Sequence, residues 1–173
     1  MLFQGGYTYF LVSYFSTSTT LFEWLNFYNV FAMAIASMFV GAYYPLSQIY
    51  QHIEDKKRGD KTISSMLGIK GTFLLSMFLF ATVNVMLLIF YILFFNYYFY
   101  FLFFIFLFPV TLYFMKWMRD SIHNADNASF ERSMKLNTIS ALCMSVCFLI
   151  VLFSTNMQLS INNKNLVKGN SLQ

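Results

Sequence analysis

An all-α, polytopic transmembrane helix bundle is the fold class this sequence predicts, and three observations predict it. Charged residues make up 10% of the 173 and hydrophobic ones 58%, against about a quarter charged in ordinary soluble domains. A chain of this length cannot hide so much apolar surface from water. The apolar runs are continuous, whereas strands of an outer-membrane barrel alternate apolar and polar over about ten residues. Finally, the basic residues gather in two connections between those runs.

A spanning helix needs roughly 20 apolar residues, at a rise of about 1.5 Å each through a hydrocarbon core of about 30 Å. Four segments meet that length: Phe27–Tyr50, Gly71–Phe95, Tyr97–Met115 and Asn137–Thr155. The opening run Leu2–Phe15 is shorter and holds Gln4, Gly5 and Gly6; it reads as the latter part of a fifth span. No Lys or Arg precedes it and no small-residue cleavage site is clear, which argues against a secretory signal. Asn96, beside two tyrosines, marks a turn between spans at a membrane interface, where aromatic rings are favoured. Pro109 is expected to kink the helix that follows. The phenylalanine-rich stretch 94–108 places rings on every face of a helix, as lipid-facing bulk does. Residues 1–158 thus form the transmembrane domain. Residues 159–173 are polar, lack apolar anchors and are expected to be disordered.

Charge gives an orientation. One connection carries Lys56, Lys57, Arg58, Lys61 and Lys70, another Lys116, Arg119, Arg132 and Lys135, and the remaining two carry none. The positive-inside rule places both basic connections in the cytoplasm, with the amino terminus inside and the tail, with Lys164 and Lys168, outside. The expected location is a cell membrane of the bacterial inner-membrane kind, with membrane lipids as surroundings. The net charge of +4 is small and no nucleic-acid motif is present. Cys143 and Cys147, four apart in an apolar run, lack a further thiol or clustered histidine and read as packing residues. His52 and His123 lie in different connections and form no metal-binding spacing.

The stretch Tyr50–Thr62 is where chemistry concentrates, with three of the seven acidic residues and four of the eleven basic ones. If the preceding span continues as a helix, Tyr44, Gln48, Gln51 and Asp55 share one face, with Ser47, His52 and Glu54 beside it. Polar groups are costly inside a membrane, so a face of this length points to a cavity or protein interior. The alternative is a helix that simply turns polar as it leaves the bilayer.

The run Asp55-Lys56-Lys57-Arg58-Gly59-Asp60-Lys61-Thr62, followed by Leu67-Gly68, resembles the second aspartate-rich motif of the UbiA superfamily of intramembrane prenyltransferases. That motif commonly reads D-x-x-x-D-x-x-x-G-x-K/R-T-L, with a Leu-Gly pair opening the next helix. Asp55 matches the second Asp, Gly59 the glycine, Lys61 the basic position and Thr62 the threonine. Ile63 replaces the leucine, and Gln51 stands where the first Asp would be. The stretch Asn127–Phe148 is also similar to the last loop and helix of some bacterial members.

The resemblance implies magnesium ions as cofactor, held by carboxylates such as Asp55, Glu54 and Asp60 together with diphosphate oxygens. It implies diphosphate pairing by Lys56, Arg58 and Lys61, and a cavity lined by Tyr44, Gln48 and Gln51. The substrates it implies are a polyprenyl diphosphate and an aromatic or related lipophilic acceptor. The family's other motif, N-D-x-x-D-x-x-x-D, occurs nowhere in this sequence. The segments look like the carboxy-terminal half of a family member, and such a chain is expected to be inactive alone. A non-catalytic membrane protein derived from the same fold, a lipid-binding or assembly partner, is the competing expectation. A small transporter is disfavoured, because the spans lack paired intramembrane charges.

Overall fold

A computed structural model describes the backbone of residues 2–95 and 97–170, and the side chains of residues 4–154 other than 53 and 96. Asn96 and the side chains of the expected polar tail therefore lie outside the described residues. Among those described, the regular elements are helices: α1 (Leu2–Phe15), α2 (Leu21–Trp24), α3 (Phe27–Ser47), α4 (His52–Arg58), α5 (Ile63–Phe94), α6 (Tyr97–His123) and α7 (Phe130–Asn170). Short 3-10 turns stand at Ile49–Gln51 and Ala125–Asn127. The chain is an all-α helix bundle.

Four stretches are long and apolar enough to cross a membrane: Phe27–Gln51, Ile63–Phe94, Tyr97–His123 and Phe130–Ser154. They make this a membrane protein. The fifth span expected from the opening run is not among them. At 14 residues, α1 is only about 21 Å long, short of a hydrocarbon core of about 30 Å.

The helices also outrun the apolar segments that announce them. The helix α5 starts eight residues before Gly71, because Thr62 caps it: the Thr62 hydroxyl accepts from the Ser65 N–H and the Ser65 hydroxyl from the Thr62 N–H. Hydropathy marks the lipid-facing part of a helix, whereas capping groups decide where its backbone bonding begins. The same chemistry opens α2, where Thr20 and Glu23 form a reciprocal capping box, and α3, where the Asn26 side-chain Oδ1 accepts from the Asn29 N–H.

Each neighbour in the bundle is fixed by interior side chains. The helix α3 packs against both α1 and α5, α5 against α6, and α6 against α7. Near the α4 end, Leu46 and Ile49 meet Phe73, Phe114, Trp117 and Leu136. The Phe73 and Trp117 rings stand edge to face at 4.9 Å, a geometry their quadrupoles favour. Toward the other end Ile35, Val83 and Phe90 pack with Tyr28 and Phe31. Within the phenylalanine-rich stretch, Phe103 is buried while Phe101, Phe104 and Phe108 are exposed. Most of those rings therefore face outward, and one anchors the bundle.

Apolar side chains gain little by leaving lipid for protein, so membrane helices associate through close contact at small residues. Gly5 and Gly6 supply that contact on α1. A Cβ on Gly5 would run into the Ala36 backbone carbonyl, and one on Gly6 into the Ser37 hydroxyl and, at 3.0 Å, the Met33 side chain. A backbone carbonyl cannot move aside without shifting α3, but a hydroxyl can rotate. Gly5→Ala should therefore destabilise the α1–α3 contact by about 1–3 kcal/mol, and Gly6→Ala by less. Thermal unfolding of both variants in micelles checks this, with the larger drop in midpoint expected for Gly5→Ala.

Candidate functional site

The charged stretch between α3 and α5 begins with a broken helix. Pro45 lies in the last turn of α3, where it offers no N–H to the preceding turn. The Gln48 N–H then bonds the Pro45 carbonyl at 3.2 Å and the Gln51 N–H the Gln48 carbonyl at 2.9 Å. That tighter 3-10 winding, about 3.0 residues per turn instead of 3.6, rotates everything beyond it. The residues expected to share one polar face from Tyr44 to Asp55 bond to different partners. Gln48 donates through Nε2 to the Tyr44 hydroxyl at 3.2 Å, and Gln51 donates to the Tyr50 hydroxyl at 2.9 Å. Gln48 keeps a buried Oε1 without a protein partner.

Asp55 bonds within the reversal itself. Gly59 closes α4 at φ +77°, a left-handed conformation that glycine adopts without Cβ strain. The Gly59 and Asp60 N–H groups both return to the Asp55 carbonyl. The Asp55 carboxylate, 2% exposed, accepts from Arg58 Nη2 at Oδ1 and from the Thr62 hydroxyl at Oδ2, each at 3.2 Å. Arg58 also reaches Asp60 through Nε at 3.4 Å. One buried carboxylate thus holds the end of α4 to the start of α5. Lys56, Lys57 and Arg58 in the last turn of α4 complement the negative end of its dipole.

The expected ligand and phosphate-binding residues are therefore unequal. Asp55 is enclosed and bonded at both oxygens, Asp60 is exposed and paired with Arg58, and Glu54 is exposed. Among the described residues no three His, Cys, Asp or Glu side chains form a group that could hold a metal ion. As they stand, the three carboxylates do not fit magnesium by themselves. Lys56 and Lys61 are exposed, whereas the Arg58 fork is shared by two carboxylates.

Sequence reasoning missed a second set of contacts behind this turn. His52 Nε2 lies 2.6 Å from the Ser64 hydroxyl, which lies 3.1 Å from the Thr72 hydroxyl. Thr72 donates to the Gly68 carbonyl at 2.7 Å. Gly68 breaks α5 at φ +65°, so the helix has a short first part, Ile63 to Leu67, and a long second part. The Leu67-Gly68 pair, which announces a helix start, instead marks a joint within one. The spacing of Ser64, Gly68 and Thr72 by four was the available signal. Burial lowers the His52 pKa and the nearby Asp55 charge partly offsets it.

The second basic connection, between α6 and α7, is also tied down. Arg132 Nη1 pairs with Asp120 Oδ2 at 2.8 Å, Asn127 donates to the Asp120 carbonyl, and Trp117 Nε1 donates to the Asn127 carbonyl. The Tyr50 and Phe130 rings meet at 5.1 Å, which brings the two basic connections to the same end of the bundle. At the other end an apolar groove of about 450 Å³ lies against Phe10, Trp24, Leu25 and Met33.

No protein family, curated protein or solved structure matches this chain. The likeness to an aspartate-rich motif accordingly rests on residues 51–68.

A His with a depressed folded pKa binds fewer protons than the unfolded chain, so its contribution is present above about pH 6.5 and is lost as pH falls through the folded value. Hydrogen exchange of the α4 amides should therefore speed up as pH is lowered below about 6, once the intrinsic rate is corrected. His52→Gln, which keeps a hydrogen-bonding side chain but cannot titrate, should abolish that change.

Proposed function

We propose that the chain forms part of a UbiA-like prenyl-transfer site, binding the head of a polyprenyl diphosphate at the basic end of the bundle. One observation carries this reading. Three positions shared with the aspartate-rich motif build a single reversal: Asp55 accepts from Thr62, and Gly59 supplies the left-handed residue between them. The reversal leaves Lys61, at the motif's basic position, exposed beside it, with Lys56 one turn back on α4.

On this reading the prenyl tail lies among the apolar faces of the spans. Lys56 and Lys61 neutralise diphosphate charge as it grows on the leaving group, as cations positioned at developing anions do. Arg58 acts indirectly, because Asp55 and Asp60 already engage it. The acceptor is an aromatic or related lipophilic molecule. The membrane is of the bacterial inner-membrane kind, and the basic end is cytoplasmic by the positive-inside rule. The sequence lacks N-D-x-x-D, and among the described residues no three His, Cys, Asp or Glu side chains form a group that could hold an ion. We therefore assign magnesium ligation and turnover to an assembly with a segment carrying the first motif.

A second reading has its own support. Both Asp55 oxygens are satisfied within the chain, as suits a structural carboxylate in a non-catalytic protein of the same fold, one that binds lipids or an assembly partner.

Binding of geranylgeranyl diphosphate to the purified chain in nanodiscs separates the two. Saturable binding, weakened roughly five-fold or more by Lys61→Ala (a loss of about 1 kcal/mol or more), is expected, with no prenyl transfer by the chain alone. Absence of saturable binding overturns the prenyl-transfer reading and leaves the non-catalytic one. Robust magnesium-dependent transfer by this chain alone would overturn the assignment of metal ligands to a partner. Asp55→Asn should lower the thermal midpoint of the ligand-free protein, because the amide retains only one of the two acceptor oxygens.

A further inference from the structure

The seam between α6 and α7 at the basic end carries a feature that the prenyl-transfer reading does not use. Tyr113, half-buried on α6, donates its hydroxyl to the Arg132 carbonyl on α7 at 3.3 Å. Its ring therefore stands across the seam. The Lys135 ammonium lies 5.8 Å from the centre of that ring, within cation–π range. Lys116 follows Tyr113 by one turn of α6. Both lysines are exposed, and neither forms a salt bridge among the described residues, whereas Arg119 and Arg132 pair with Asp120. The remaining nearby carboxylate is Glu131, exposed one turn before Lys135.

Depth makes the two lysines informative. Lys116 precedes the α6 end at His123 by about two turns, and Lys135 follows the α7 start at Phe130 by little more than one. Each stands at the edge of the apolar run of a membrane-length helix, Lys116 directly after Met115 and Lys135 directly before Leu136. Exposed apolar side chains, Leu112, Met115 and Met134, flank them. An ammonium at such an edge can lay its stem along apolar side chains and hold its head at the level of lipid headgroups. Carboxylates close by are spoken for or lie nearer the helix ends. An anion free in solution would not be drawn to an apolar flank, but a lipid phosphate brings its own acyl chains to cover it.

We propose that this seam binds the headgroup of an anionic glycerophospholipid, with Lys116 and Lys135 pairing with the phosphate and Tyr113 holding Lys135 in place. The acyl chains run down the exposed faces of α6 and α7. The site lies on α6 and α7, whereas Lys56 and Lys61 belong to α4 and the turn after it, and it does not depend on their role.

Native mass spectrometry of the full chain, released from micelles after incubation with phosphatidylglycerol or phosphatidylcholine, tests the proposal. The expected result is one retained phosphatidylglycerol and little phosphatidylcholine. Each lysine near an anionic lipid contributes roughly five-fold in affinity, so Lys116→Gln with Lys135→Gln should weaken retention by roughly 25-fold. Lys57→Gln, in α4, serves as the control and should leave it unchanged, while circular dichroism confirms that all variants fold. Equal retention of the two lipids overturns the proposal, as does full retention by the double variant. An equal loss in Lys57→Gln would show a diffuse field in place of a site. Displacement by millimolar inorganic phosphate would show a free-anion site.

Discussion

Lipid offers no hydrogen bonds, so a membrane chain must satisfy its backbone within its own helices and can reverse direction only where other groups take over that task. The turn after α3 meets this demand with one buried carboxylate. Asp55 offers its carbonyl to two backbone N–H groups and its side-chain oxygens to Arg58 and Thr62. Thr62 in turn caps α5. The packing of α5 back on α3 follows from the direction this turn imposes. A buried charge is destabilising unless it is paired and hydrogen-bonded, and here both conditions are met by residues within seven positions.

The helical architecture was legible in sequence, because apolar runs of about 20 residues have no other use in a chain with so few charges. Local chemistry was less legible, for identifiable reasons. Hydropathy placed the start of α5 at Gly71, but the Thr62 and Ser65 capping pair began it eight residues earlier. A periodicity argument aligned Tyr44, Gln48, Gln51 and Asp55 on one face. Periodicity says nothing of partners: Gln48 bonds Tyr44, Gln51 bonds Tyr50, and Asp55 bonds Arg58 and Thr62. The opening run forms the helix α1, as its apolar character suggests, and its contact with α3 at Gly5 and Gly6 is a matter of packing that hydropathy does not report.

The candidate site shows the same division. Gly59, Lys61 and Thr62 were singled out by motif, and the structure gives Gly59 and Thr62 definite work in the reversal. The roles of ligand and phosphate partner are a matter of what surrounds each charge, and spacing carries no such information. Asp55 and Asp60 look equivalent as letters. One is enclosed, the other open to solvent, because Asp55 faces α5 from the interior of α4 while Asp60 follows a left-handed residue that turns the chain outward. His52 could not have been linked to Thr72 without knowing that the chain folds back after Gly59.

The break at Gly68 separates two mechanical units inside what is nominally one helix. Residues Ile63 to Leu67 are bonded to the turn through Thr62 and Ser64, whereas the long part beyond Gly68 is clamped between α3 and α6. Thr72 reaches back over the joint to the Gly68 and Ser64 carbonyls, acting as a tether across it. The left-handed Gly68 lets the first turn of α5 take its own direction toward the charged turn, while the long part keeps its packing against α3 and α6. The surface of the turn can change in shape or sequence while the bundle beneath it keeps its alignment.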